Sequence, residues 1–111
     1  MNRSLPRRVP LAELAAVIRS KNSGPYELTL DLIFRNEDDY LRLKGKDFFT
    51  PALIAGLYRA DPTDVLKIVY FDPALAVKVT MRRPLPSGAL GDTDIYGAQQ
   101  HAPLLGLTVE V

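Results

Sequence analysis

Residues 26–35 read YELTLDLIFR, and their apolar and polar positions alternate: Leu28, Leu30, Leu32 and Phe34 are interleaved with Glu27, Thr29, Asp31 and Arg35. A period of two is the spacing of side chains along one face of a strand, so the segment predicts a half-buried strand. Slipping its pairing by one residue would drive Glu27 and Asp31 inward, which ties the register to this pattern. The preceding run, PLAELAAVIR at 10–19, fits two periods. Leu11, Leu14, Ala15 and Ile18 mark a helical face, whereas Leu14, Ala16 and Ile18 suit a strand. SKNSGP at 20–25 is turn-like and of hairpin length, and a strand follows it, so 10–19 is read as the first arm of a hairpin.

After the strand the polarity changes its period. Asn36 supplies an N-cap side chain, and Glu37, Asp38 and Asp39 place carboxylates where the helix dipole favours them. A short helix to about residue 44 follows, with Gly45 as its stop. Thr50-Pro51 repeats the signal, a capping hydroxyl followed by the residue preset for the first helical position. Leu53, Ile54, Leu57 and Tyr58 then form one apolar face, ending near Arg59. Asp61-Pro62-Thr63-Asp64 is a third start, of about one turn. LKIVYF at 66–71 and LAVKVTMR at 75–82 return to period two, joined by Asp72-Pro73-Ala74, and LTVEV at 107–111 predicts a short edge strand. Two strands, helices, two strands, a loop and a terminal strand predict an α+β fold, a small antiparallel sheet with helices on one face. Residues 1–9 are read as an N-terminal tail and 10–111 as a single domain with a long functional loop at 84–103.

Composition narrows the function classes. Fourteen Lys and Arg against thirteen Asp and Glu give no electrostatic reason to expect nucleic acid or an anionic membrane as a partner. The chain has no cysteine, which removes disulfides, thiolate metal sites and thiol nucleophiles. No run approaches the ~18 apolar residues needed to cross a bilayer, and MNRSLPRRVPL lacks the apolar stretch of a signal peptide, so a soluble cytoplasmic protein is expected. No cofactor is expected, because the chain carries no phosphate loop or dinucleotide fingerprint. Ser20, Ser23 and Ser87 lie outside any nucleophile elbow.

Two polar stretches carry the candidate chemistry. The first is Arg19-Ser20-Lys21-Asn22-Ser23-Gly24. The Arg19 fork and the Lys21 point charge, with backbone N–H groups beside Gly24, suit an anion; the same residues also suit a plain polar hairpin turn. The second is the 84–103 loop, which carries Asp92, Thr93, Asp94, Tyr96, Gln99, Gln100 and the chain's single histidine, His101. Asp92, Thr93 and Asp94 offer oxygens to a hard cation or satisfy the loop's own backbone, and without a calcium-loop pattern no metal is assigned. His101 is a group able to move protons near neutral pH. With no second histidine and no cysteine it is not a zinc site.

The stretches IRSKNSGPYELTLDLIF, TPALIAGLYRADPTDVLKIVYFDPALAVKVT and GDTDIYGAQQHAPLL resemble a family of small bacterial proteins carried as a domain of unknown function. That family accompanies the AtuA-like proteins named for acyclic terpene utilisation, and the resemblance spans about 10–105. The chain is also similar to the ferredoxin-like C-terminal domain of longer AtuA-like proteins, which begins with an Arg-Ser-Gly-Asp-Lys-Gly run. Arg19, Ser20 and Gly24 match that run in place, while Lys21, Asn22 and Ser23 depart from it. The resemblance implies a ferredoxin-like fold and a separately encoded counterpart of that domain, seated on a larger AtuA-like subunit.

The function expected on this basis is that of a small subunit in a two-component AtuA-like enzyme acting on a carboxylic acid or acyl-CoA, completing or covering the larger subunit's site. In it, Arg19, Ser20, Asn22, Asp92, Thr93, Asp94, Tyr96, Gln99 and Gln100 would contact ligand or partner. The first alternative is a self-sufficient lyase or isomerase, a homo-oligomer with Lys21 or His101 as base. The second is a purely structural assembly module.

Overall fold

The computed structural model describes residues 8–24, 26–82 and 102–110. Its elements in chain order are β1 (Arg8–Pro10), α1 (Leu11–Leu14), β2 (Ala15–Gly24), β3 (Glu27–Phe34), α2 (Glu37–Gly45), α3 (Pro51–Tyr58), β4 (Val65–Phe71), β5 (Ala76–Arg82), α4 (Ala102–Leu105) and β6 (Thr108–Glu110). Single 3-10 turns at Pro62–Asp64 and Asp72–Ala74 lead into and out of β4. The strands β2 to β5 form one antiparallel sheet in the order β2-β3-β5-β4, while β1 and β6 form a separate antiparallel pair. This is the α+β arrangement expected, consistent with a ferredoxin-like layering, and its connectivity is a hairpin, a pair of helices and a second hairpin.

The alternation in β3 turns Leu28, Leu30, Leu32 and Phe34 into a buried layer, which continues into Val77, Val79 and Met81 of β5. Tyr40 and Leu43 of α2 and Ile54 and Ala55 of α3 close over it. The ring of Phe34 lies 6.1 Å from Tyr40 and 6.3 Å from Phe49 between centroids. Both caps form: Asn36 Oδ1 accepts from the Asp39 N–H at 2.9 Å, and Thr50 Oγ1 accepts from the Leu53 N–H at 3.1 Å. At the Pro62–Asp64 turn, Asp61 and Asp64 cap each other's backbone reciprocally. The β4–β5 turn is tied to α2 by Asp72, whose carboxylate accepts from the Tyr40 hydroxyl at 2.6 Å and from Lys44 Nζ at 2.8 Å.

Five expectations change. Residues 10–19 are not one strand: α1 takes a single turn that buries Leu11 and Leu14, three apart, and β2 starts only at Ala15. Residues 20–24 do not form a loop. Strand β2 continues to Gly24, with Ser20 opposite Leu30, Lys21 opposite Thr29 and Asn22 opposite Leu28, and a bulge between Asn22 and Gly24 absorbs one extra residue. Arg8 and Val9, placed in the expected tail, belong to β1, where Val9 and its register partner Val109 are both buried. For the same reason β6 pairs with β1 and is not an edge of the main sheet. Gly45 lies inside α2, and the left-handed residue after that helix is Asp47, with φ 49°.

Candidate functional site

The helices and the β1–β6 pair pack on the leucine face of the sheet, so the alternate residues of the same strands make up its other face. The register places these in three rows. The first row runs Val17, Ile33, Ala76 and Phe71 from β2 across β3 and β5 to β4. Two residues along each strand, the second row runs Arg19, Asp31, Lys78 and Val69, and the third runs Lys21, Thr29, Thr80 and Lys67. Neighbouring rows are roughly 7 Å apart at strand rise. The face therefore grades from an apolar end to a cationic end.

A depression of about 460 Å³ lies over this face. Ile33, Val69, Phe71, Ala74 and Ala76 form its apolar part, and Arg19, Asp31, Lys67, Lys78 and Thr80 its polar part. Its volume is in the range of small-molecule sites. Phe71 is 53% exposed, an unusual position for a phenyl ring on a sheet face. Asp31 is 8% exposed and its Oδ2 accepts from Arg19 Nε at 3.1 Å, so the carboxylate on the floor is already neutralised. Lys21, Lys67 and Lys78 are exposed, and among the described residues no carboxylate comes within ion-pair distance of any of them. Cations in a concave surface without matching anions raise the local positive potential.

A second depression, of about 390 Å³, opens along the β4 edge beside Asp47, Phe49 and Tyr70. The Tyr70 hydroxyl there accepts the Phe49 N–H at 3.1 Å, and burial pushes its ionisation up. That hydroxyl serves the fold and is not free for chemistry.

The residues chosen from sequence separate. Arg19 and Lys21, two apart on β2, share the open face. Ser20 and Asn22 point the other way; Ser20 is buried and Asn22 half-buried, and both already have interactions within the fold. The four cannot converge on one anion, because strand geometry puts successive side chains on opposite faces. The four residues therefore divide between the two faces of the sheet, with Arg19 and Lys21 on the open one. Asp92, Thr93, Asp94, Tyr96, Gln99, Gln100 and His101, with nearly all of the 84–103 loop, lie outside the described residues. Asp31, Lys67, Lys78, Thr80 and Phe71 were not singled out from sequence. Each occupies an outward position of an alternating strand, where a charge ordinarily means a solvated surface, and only cross-strand register reveals them as one group. Among the described residues, no cluster of three His, Cys, Asp or Glu could hold a metal ion, and no helix is long and apolar enough to cross a membrane.

A family model described as "Domain of unknown function (DUF4387)" matches residues 11–108, nearly the whole chain. No curated protein and no solved structure matches it.

Proposed function

The chain belongs to the family described as Domain of unknown function (DUF4387), and from its open sheet face we propose that it is the small subunit of a two-component AtuA-like enzyme acting on a carboxylic acid or acyl-CoA. In this reading the larger subunit covers the open face, and the cations of that face hold the substrate's anionic group. The observation that supports it most is the depression itself, a concave, cationic, partly apolar surface on a sheet that, among the described residues, is covered by helices on its other side. Among the described residues one thin sheet does not enclose a reactant, and in this reading a covering partner supplies a further wall. The cations also argue against two copies meeting through this face, since that would set Lys67 and Lys78 against their own kind.

The test is co-expression with the AtuA-like large protein of the same organism, followed by size-exclusion chromatography. A stoichiometric complex that dissolves on Lys78→Glu supports the reading. Two separately eluting proteins overturn it.

A further inference from the structure

The gradient across the open face identifies a ligand class more narrowly than a carboxylic acid or acyl-CoA. We propose that the depression binds a monocarboxylate with an apolar chain, its head group at Lys67, Lys78 and Thr80 and its chain along Val69, Phe71 and Ile33. This deepens the subunit reading and rests on it for the site's role, while the binding itself is a property of this chain alone.

The register carries the inference. Lys67 pairs with Thr80, and Lys78 lies two residues before Thr80 on β5, so the two ammonium groups flank one hydroxyl on one face. Directly opposed residues in such a ladder have Cβ atoms about 5 Å apart, and diagonal neighbours sit about 7–8 Å apart. Two lysine side chains at that spacing reach a single carboxylate between them, and the threonine hydroxyl adds a third donor. Asp31 does not compete for the head group, because Arg19 holds it from the other side. The apolar row at Ile33, Ala76 and Phe71 offers the head group no cation, which orients the head toward Lys67.

From the cationic row to the apolar row is roughly 13 Å along the strands, the scale of a short fatty acid rather than of acetate. Phe71, Ala76 and Ile33 stand at the far end, and the aliphatic stems of Lys67 and Lys78 line the way there. A short polar acid would leave Phe71 bare, and an apolar molecule without charge would leave the two ammonium groups unpaired. Both features are satisfied together by one amphipathic anion.

Titration of the isolated full-length chain with octanoate, acetate and octan-1-ol, followed by amide chemical shifts, tests this. Octanoate is expected to bind saturably and to shift amides of β4 and β5, with acetate and octan-1-ol at least tenfold weaker. Lys67→Gln with Lys78→Gln should weaken octanoate at least tenfold while the remaining amide fingerprint stays in place, and Phe71→Ser should weaken octanoate while leaving acetate unchanged. No saturable octanoate binding, equal binding of octanoate and octan-1-ol, or unchanged octanoate affinity in the double lysine variant each overturns the proposal. Should the chain bind octanoate yet fail to join the large subunit, the ligand site stands and the subunit reading falls; the opposite pair of results removes the site alone.

Discussion

The two faces of the β2–β5 sheet share a backbone and differ in almost everything else. On one, Leu30, Leu32, Val77 and Val79 are buried to 1% exposure or less and meet side chains from α2 and α3. On the other, one step along the same strands, a buried carboxylate sits among exposed cations beside a half-exposed phenyl ring. Side-chain alternation produces both faces from one set of strands. The first satisfies itself; the second leaves positive charge and apolar surface uncompensated by the described chain, which is the usual condition of a binding surface rather than of a core. The difference separates residues that hold the fold from residues available for function.

The strongest way to break that separation is Leu32→Ala. Leu32 has no solvent exposure, and truncating such a residue costs about 2–5 kcal/mol through lost burial and the cavity left behind. Set against a total stability of roughly 5–15 kcal/mol, that is a large fraction. Denaturant unfolding should show the midpoint fall with an unchanged slope. A loss below about 1 kcal/mol would mean that the leucine face is not the packed one.

How far each face was legible follows from the same geometry. The leucine face declared itself in the period of 28–34, and the caps at Asn36, Thr50 and Asp61 were readable because each needs one side chain close in sequence to the N–H it satisfies. The break at 10–15 was not readable, since Leu14 and Ile18 fit both periods and only the burial of Leu11 and Leu14 against the rest of the fold decides for a helical turn. Gly24-Pro25 and the polar residues before them suggested a loop, yet β3 supplies a ladder for them up to Gly24, and local turn preference yields to pairing. The candidate site was half visible. Arg19 and Lys21 stood out as a local cluster, but Asp31, Lys67 and Lys78 come from three strands and meet only through a register no single segment encodes.

Alkaline pH sharpens the comparison by acting on the helix-covered side. Tyr40 is on the buried face of α2, and its phenol is pushed well above the usual value of 10.0, first by burial and then by its hydrogen bond to the Asp72 carboxylate. Burial pushes Tyr58 and Tyr70 upward as well. The unfolded chain therefore loses these protons first. The stabilisation is intact below pH 10.0 and is lost as pH rises beyond it toward the raised folded values. Thermal melts between about pH 9 and about pH 11 should show a falling midpoint, with the phenolate absorbance of the buried tyrosines appearing together with unfolding and that of exposed Tyr26 appearing without it. A midpoint that stays level over that range would remove the tyrosines from the packed side.

The smallest effect belongs to the open face. Lys67 and Lys78 are exposed, and no carboxylate among the described residues pairs with either, so the fold does not draw on their charge. Their mutual repulsion and the attraction of Lys78 to its register neighbour Asp31 act in opposite directions, and both are weakened by salt, whose screening length is ~10 Å at about 0.1 M. Lys67→Gln with Lys78→Gln should therefore change stability by less than about 0.5 kcal/mol, measured by denaturant unfolding without ligand. A penalty above about 1 kcal/mol would make these lysines part of what holds the sheet together and erase the distinction between its faces. Neutral stability together with lost octanoate binding would place them on the functional side alone, because a residue that the fold does not need and a ligand does need is held in position for the ligand.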